Sequence, residues 1–199
     1  MKRVESVPYT RSQVSEIAQI QTGKNRLATW LAFEAGVKPS EIASLRPPEC
    51  RTIEIRKATE SQLFLGREDV VIYSVDNGQG EARHIAVSAQ LHQKLEKARL
   101  GCPKRVEEDD WSYLCGYNIG YGHAWVQSFT ECSDSALRYS HGTQGLRHAY
   151  IVERFFELLM HGVGHDERVG IVGLETGLGP ESVKKYLMTR AESRSRSVA

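Results

Sequence analysis

The sequence lacks the features that mark membrane and secreted proteins. No apolar run approaches the ~18 residues needed to span a bilayer, and the basic start "MKRVESVPYT" has no apolar core behind it. The four cysteines are widely spaced and form no CxxC pair. The sequence therefore predicts a cytoplasmic protein with free thiols and without a zinc site. The cysteines are Cys50, Cys102, Cys115 and Cys132.

The sequence also lacks an excess of charge of either sign. Lys and Arg total 26 against 25 Asp and Glu, so the formal net charge is only +1. A nucleic-acid partner is therefore not implied by net charge, and would require positive charge gathered on one face. The chain has 199 residues, of which 40% are hydrophobic, and this is enough apolar material for the core of one globular domain.

Apolar residues at helical spacing predict that most of the chain is helical. The first three helices are expected in "YTRSQVSEIAQIQ", "KNRLATWLAFEAG" and "KPSEIASL". Later helices are expected over residues 89–100, 123–138, 145–160 and 165–175, and from Pro180 onward. Residues 191–199 have no apolar periodicity and are expected to form a disordered tail.

Between residues 52 and 88 the pattern changes to alternation and β-branched runs. "TIEIRK", "SQLFLGREDVVIYSV" and "ARHIAVS" predict a small antiparallel sheet of two or three strands, with a turn at "DNGQGEA". That turn has neither a GK[ST] ending nor a following helix, so a phosphate-binding loop is disfavoured. The stretch from 101 to about 122, which contains the charge run "RVEEDDW", is expected to be a loop.

Two short motifs admit both a functional and a structural interpretation. "ERVGIVGLETGLGPESVKKYL" has helix-turn-helix spacing, but an ordinary antiparallel pair of helices fits it equally well. In the first case DNA would be faced by Glu181, Ser182, Lys184 and Lys185. In "HGVGH" two histidines stand four residues apart, yet the glycines between them favour a helix end over a metal site.

Four separated phrases, in order, resemble the catalytic domain of the tyrosine recombinase (phage integrase) family. They are "AGVKPSEIASL", "RHIAV", "QGLRHAY" and "ETG", and Tyr186 follows nine residues after the glycine of the last. The resemblance extends from about Tyr9 to Leu187. It implies an α+β fold that is mostly helical, a helix bundle with a small antiparallel β-sheet, over residues 1–190. The separate core-binding domain usual in the family is absent from the pattern.

The resemblance also implies roles for individual residues. Arg147 would grip the scissile phosphate, because a guanidinium is a planar, permanently charged fork that bonds phosphate oxygens. The phenol of Tyr186 would attack and form a covalent 3′-phosphotyrosine without a metal or other cofactor. Lys38 and His148 complete the expected catalytic set. The expected DNA contacts are Arg83, Gln144, Lys184 and Lys185, and the implied partners are double-stranded DNA and a second copy or partner recombinase bound to it.

Several catalytic positions depart from the family pattern. Lys38 stands where the family has arginine, Gln144 where it has histidine, and Gly177 where it has histidine or tryptophan. "VDNGQGEAR" offers no clear equivalent of the family's lysine. Because the loss of one preorganised donor costs about 10²–10³ in rate, strand cleavage is expected to be weakened or lost. The neighbouring residues that could fill these gaps are Arg83, His141 and His148.

Three hypotheses for function remain open. The first is a recombinase that acts through Tyr186, the second a non-enzymatic DNA-binding regulator or accessory factor on the same fold, and the third an unrelated helix-turn-helix protein that uses only residues 166–190. Taken singly, Arg147 could instead pair with Glu153 on a helix surface, and Tyr186 could be a partly buried helical tyrosine. The third hypothesis is separated from the others by whether residues 38 and 147 meet in space.

Overall fold

Helices build most of this fold. The structure is a computed structural model that describes residues 6–50, 63–76, 82–108 and 111–196. No helix in these ranges is both long and apolar enough to cross a bilayer. The helices are α1 (Arg11–Ile20), α2 (Gly23–Ala35), α3 (Pro39–Ile42), α4 (Ala89–Lys97), α5 (Gly122–Leu137), α6 (Gln144–Met160), α7 (His165–Thr176) and α8 (Pro180–Arg196), with a 3-10 turn at Pro48–Cys50.

The first β-ribbon lies where the alternating pattern predicts it. β1 (Val70–Asp76) pairs antiparallel with β2 (Ala82–Ser88), so that Val70 lies opposite Ser88. β2 coincides with "ARHIAVS", and β1 forms at the end of the second predicted strand. "TIEIRK" and residues 77–81 of the predicted turn lie outside the described residues.

A second antiparallel ribbon occupies the stretch for which the sequence predicts a loop, so that prediction is wrong. β3 (Arg99–Glu108) pairs with β4 (Trp111–Tyr117). The sequence does not indicate β3, because the side chains of this strand are mostly exposed and show no alternation of apolar residues. β4 instead buries every second residue from Tyr113 to Tyr117, as a strand with one face on the core does. The start of β3 also ends α4 at Lys97, before the predicted residue 100.

Helix α6 connects two hydrophobic clusters. The larger cluster joins α1, α2, α5 and both ribbons, and contains the fully buried side chains of Trp125, Phe129 and Leu31. The smaller cluster lies between α6, α7 and α8 and includes Ile151 and Val172. Because α6 is buried along most of its length, packing on both sides fixes the position of its first turn.

The four helices after the second ribbon begin within a residue of where the sequence predicts them. α8 begins at Pro180 as expected and continues through Arg196, beyond the residue at which a tail was expected; residues 197–199 are outside the described ranges. "HGVGH" joins α6 to α7: His161 follows the last residue of α6 and His165 opens α7. Among the described residues, no three or more His, Cys, Asp or Glu side chains are grouped so as to hold a metal.

Candidate functional site

The beginnings of three helices and the side of a fourth enclose one cavity of about 480 Å³. This volume lies within the range of small-ligand sites, ~300–1,000 Å³. The cavity brings together Lys38, Gln144, Arg147 and Tyr186, four residues of the predicted site. The remaining lining residues are Val37, Pro39, Ser40, Gly122, His123, Val126, Thr143 and Leu178.

Arg147 is buried at this cavity with most of its hydrogen-bonding capacity unused. Its side chain lies in the first turn of α6 and is only 5% exposed. Nη2 donates to the carbonyl oxygen of Thr176, whereas Nε and Nη1 have no partner among the described residues. Burial lowers the pKa of Arg147 to about 10; the nearby Glu41 carboxylate opposes this shift, and the Arg83 charge adds to it. Among the described residues, no carboxylate forms a hydrogen-bonded ion pair with its guanidinium.

The lead-in to α6 is held in place by two glycines and by Tyr9. Gly142 has a φ of +63°, which turns the chain into the helix. At Gly145 an added Cβ would lie 2.6 Å from a ring carbon of Tyr9, so only glycine allows this approach. The Tyr9 hydroxyl accepts a hydrogen bond from the His141 backbone N–H at 2.6 Å. The segment before α1 is thus packed over the first turn of α6.

Lys38 is positioned by the proline and the glutamate that follow it. A residue before proline is restricted to extended backbone, and Lys38 has φ −81° and ψ 156°. Its N–H donates to Oε2 of Glu41 at 2.7 Å. Burial lowers the pKa of Lys38, and the charges of Arg147 and Arg83 add to this while Glu41 opposes it. Lys38 is thus a half-buried cation on the cavity wall.

Arg83 directs its guanidinium into the protein rather than into the cavity. It contacts both carboxylate oxygens of Glu41, at 2.7 and 3.2 Å, and also donates to the carbonyl oxygens of Glu175 and, at 3.4 Å, of Gly36. Burial would raise the pKa of Glu41, but its bonds and charge pairing with Arg83 bring it below its ordinary value. Arg83 therefore ties α3 to the end of α7, and it is not among the cavity-lining residues.

The Arg83 side chain also occupies the space beside Gly177. Gly177 ends α7 in the left-handed region, with a φ of +63°. A Cβ at this position would lie 3.3 Å from Cδ of Arg83. The residue that the resemblance assigns to histidine or tryptophan is therefore a helix-ending glycine against which Arg83 packs.

Tyr186 and His148 lie against each other between α6 and α8. The Tyr186 side chain is half-buried and lines the cavity. His148 is fully buried, and its Nε2 lies 2.7 Å from the carbonyl oxygen of Tyr186 while its Nδ1 lies 2.6 Å from that of Ser6. The two rings have centroids 5.1 Å apart. His148 thus contacts the backbone of Tyr186 and does not line the cavity.

The other predicted residues are distributed between the cavity and the surface. Gln144 is exposed at the cavity. On α8, Lys184 pairs with Glu181 at 3.0 Å and Lys185 is exposed. His141 packs its ring on Tyr9 and Tyr139, which lowers its pKa through burial, and it does not line the cavity.

His123 is a cavity residue that the sequence analysis missed. It is the second residue of α5 and is exposed at the cavity. The glycine-rich run before it indicates where a helix begins, but only the packing of α5 on α3, and the cavity it shares with α6, show what that helix end faces. Arg147, by contrast, makes no hydrogen bond to Glu153, the helix-surface pairing considered above; its bond is to Thr176.

Neither a protein-family model nor a curated protein matches this sequence, but solved structures do. The chain is similar to XerA recombinase, with a TM-score of 0.56 and 12% identity over 96% of this chain and 65% of that one. It is similar to XerH site-specific recombinase in a post-cleavage complex with palindromic difH substrate (TM-score 0.57, 12% identity, 98% and 53% covered). It is also similar to the Tn1549 transposon integrase in complex with a circular intermediate DNA (TM-score 0.53, 16% identity, 100% and 67% covered).

These similarities define the fold class. The protein is mostly helical with small antiparallel sheets, as are tyrosine recombinases and integrases, so the predicted fold class is confirmed. At 12–16% identity they establish the fold alone. The chain spans between about half and two thirds of the length of these recombinases.

Proposed function

We propose that this protein binds double-stranded DNA and is associated with site-specific recombination or integration, and that its cleavage of DNA through Tyr186 is weakened or lost. A backbone phosphate of the duplex would enter the cavity toward Arg147 and Lys38. Gln144, Lys184 and Lys185 would contact the DNA around that phosphate.

The chief support for this proposal is the unsatisfied guanidinium of Arg147. Buried polar side chains in proteins are almost always hydrogen-bonded, so an arginine with donors that lack an internal acceptor is available to a ligand. Nε and Nη1 have no partner among the described residues, and Nη2 is anchored on Thr176. A phosphate in the cavity would be an acceptor for charge-assisted hydrogen bonds from this guanidinium, which lines the cavity.

The proposed loss of cleavage follows from what surrounds Tyr186. A phenol is mostly neutral near pH 7 and attacks a phosphate only with help from neighbouring charges and hydrogen bonds. Gly177 offers no side chain, Gln144 carries an amide that does not titrate, and the donors of Arg83 are engaged by internal acceptors. We therefore expect the protein to retain DNA binding even where its cleavage activity is weak or lost.

Binding is tested by fluorescence anisotropy with labelled duplex DNA over a salt series. Because phosphate contacts release counterions, affinity should fall steeply as salt increases. The same duplex should bind more weakly to Arg147→Met. Equal affinity at low and high salt would contradict the proposal.

Cleavage is tested with a nicked duplex that traps a covalent intermediate, scored as a protein–DNA adduct on a denaturing gel. Wild-type protein should form little or no adduct. Abundant adduct that disappears in Tyr186→Phe would instead restore a fully active recombinase.

A non-enzymatic regulator or accessory factor on this fold is the second candidate. This candidate is favoured because Arg83 is bonded to Glu41 and is not among the cavity-lining residues. Arg147 is then the arginine that lines the cavity. DNA binding without any adduct, at every pH tested, would support it. The helix-turn-helix hypothesis receives no support from this arrangement, because Lys38 and Arg147 line one cavity.

A further inference from the structure

We propose that His123 is a third donor of the phosphate-binding cavity, and that DNA binding there is linked to protonation of its imidazole. The inference rests on the proposed function and adds a residue that the family resemblance did not indicate. His123 lies on α5, whereas Lys38 precedes α3, Arg147 lies on α6 and Tyr186 lies on α8, yet all four line one cavity.

The first support is the orientation of the two long helices that begin at the cavity. α5 has 16 residues and α6 has 17, and the first residues of both line the cavity. Their N-cap residues, Tyr121 and Thr143, make no side-chain capping bond. The amino end of a helix carries partial positive charge and unpaired N–H groups, so each of these ends favours an anion.

The second support is independent of the helix ends. Arg147 is 95% buried in the same cavity, since 5% of it is exposed, and two of its nitrogen atoms have no partner among the described residues. An anion that satisfies Arg147 would therefore occupy the cavity onto which the first turn of α5 opens. His123 is the titratable side chain of that turn.

The chemistry of imidazole then links binding to pH. Histidine is the side chain whose charge ordinarily changes between about pH 5 and 8. The protonated ring donates from both nitrogens, whereas the neutral ring donates from one and accepts at the other. A phosphate diester stabilises the protonated form, so affinity should be highest at low pH and should decrease as the pH rises.

Other titratable groups at the cavity set the useful pH window. These groups are Lys38, Arg147 and Tyr186 on the cavity wall, and Glu41, whose carboxylate accepts a hydrogen bond from the backbone N–H of Lys38. Because burial lowers the pKa of Lys38, measurements should stay between about pH 5.5 and 7.5, where histidine dominates the change in charge.

The test measures duplex DNA affinity across this window at constant ionic strength. Wild-type affinity should decrease by up to about tenfold per pH unit, the limit for uptake of one proton. His123→Gln should bind weakly and independently of pH, whereas His123→Lys, which keeps a charge, should bind tightly and independently of pH. His165→Gln, a change at an exposed histidine that does not line the cavity, is the matched control and should follow wild type. A flat wild-type curve, or an undiminished slope in His123→Gln, would overturn the inference.

A second arm separates this inference from the proposed function. Inorganic phosphate is added to the DNA-free protein, and the imidazole proton signals are followed by NMR, with the His123 signal identified by its loss in His123→Gln. If duplex DNA does not bind, the proposed function fails, and a phosphate-dependent shift of the His123 signal still supports the anion site. An unshifted signal at saturating phosphate contradicts it, even if DNA binds elsewhere.

Discussion

Two buried arginines on α6 differ in how many of their hydrogen-bond donors have a partner among the described residues. Arg147 and Arg154 are seven residues apart, which places them two turns apart on one face of the helix. They are 5% and 0% exposed, respectively. Arg154 donates to Glu175 at 2.9 to 3.2 Å, to Glu157 at 3.2 Å and to the Leu65 carbonyl oxygen at 3.0 Å. Arg147 donates to one carbonyl oxygen, and two of its nitrogens have no hydrogen-bond partner among the described residues.

The difference separates an arginine that belongs to the fold from one that is available for a ligand. Arg154 and Glu175 form an internal ion pair, which the Tyr150 hydroxyl and the Phe64 N–H complete at 2.8 and 2.9 Å. The next residue after Glu175, Thr176, supplies the carbonyl oxygen that anchors Arg147. The end of α7 therefore orients Arg147 through the network that Arg154 stabilises.

The largest expected effect is the loss of that ion pair. Arg154→Met should reduce the free energy of unfolding by about 3–5 kcal/mol, because it leaves the Glu175 carboxylate buried without its counterion. Urea unfolding followed by circular dichroism measures the change. The double variant Arg154→Met/Glu175→Gln should regain part of it, and a loss below about 1 kcal/mol in the single variant would contradict the assignment.

The counterpart change at Arg147 should affect binding rather than folding. Removing charge-assisted hydrogen bonds costs ~1.5–3 kcal/mol, so Arg147→Met should bind duplex DNA about 10–100-fold more weakly. Its free energy of unfolding should change little, because the charge it removes is desolvated and has one internal hydrogen bond. Anisotropy and urea unfolding measure the two quantities. Arg105→Met, at an exposed arginine of β3 that does not line the cavity, is the control for loss of charge.

A smaller effect on stability is expected at Gly177, which ends α7. Gly177→Ala should lower the free energy of unfolding by about 1–2 kcal/mol, the cost of a left-handed residue with a Cβ. The new Cβ would also lie 3.3 Å from the Arg83 side chain. Gly179→Ala is the matched control, since a Cβ there meets nothing within 4 Å. Equal stability of the two variants would show that Gly177 is not constrained.

Acid should weaken the contacts around Glu41 and Glu157. Both carboxylates have a pKa below the ordinary 4.5, because arginine partners outweigh the effect of burial. Their stabilisation is therefore complete above about pH 4.5 and is lost as the pH falls through the lower pKa of the folded state. Urea midpoints measured between pH 6 and 3 should decrease less in Glu41→Gln than in wild type. An identical decrease in the two proteins would show that Glu41 does not contribute to the loss of stability in acid.

The smallest effect is expected at Tyr186. Tyr186→Phe should bind duplex DNA at most about tenfold more weakly than wild type, because a hydrogen bond from a neutral phenol contributes only ~0.5–1.5 kcal/mol. Anisotropy measured beside Arg147→Met provides the contrast. A loss as large as that of Arg147→Met would mean that the phenol, and not the guanidinium, holds the phosphate.

The sequence predicted most of the helices and one ribbon because these depend on local periodicity. β2 coincides with "ARHIAVS", and α6 begins within one residue of its predicted start. The second ribbon was missed because β3 is mostly exposed and carries no alternating apolar pattern. Its partner β4 supplies the buried positions, and pairing between strands is not a property of either strand alone.

The candidate site was only partly predictable for a similar reason. Residue type and order pointed to Lys38, Arg147 and Tyr186, which line one cavity. His123 carried no signal, since its role depends on α5 opening beside α6. The DNA contact predicted for Arg83 stays a prediction. The bonds of Arg83 to Glu41 and to backbone oxygens do not favour it.

The sequence indicates where most of the helices begin, and the family resemblance points to three of the residues that line the cavity. Glycine at 142, 145 and 177 determined the turns and close approaches around Arg147, because these positions need a positive φ or the space a Cβ would fill. Tertiary contacts, by contrast, set which arginine has internal acceptors and which has donors without a partner among the described residues. Hydrogen-bond partners such as Arg147 and Thr176 stand 29 residues apart, and no local pattern of the chain records which acceptors will surround a buried donor.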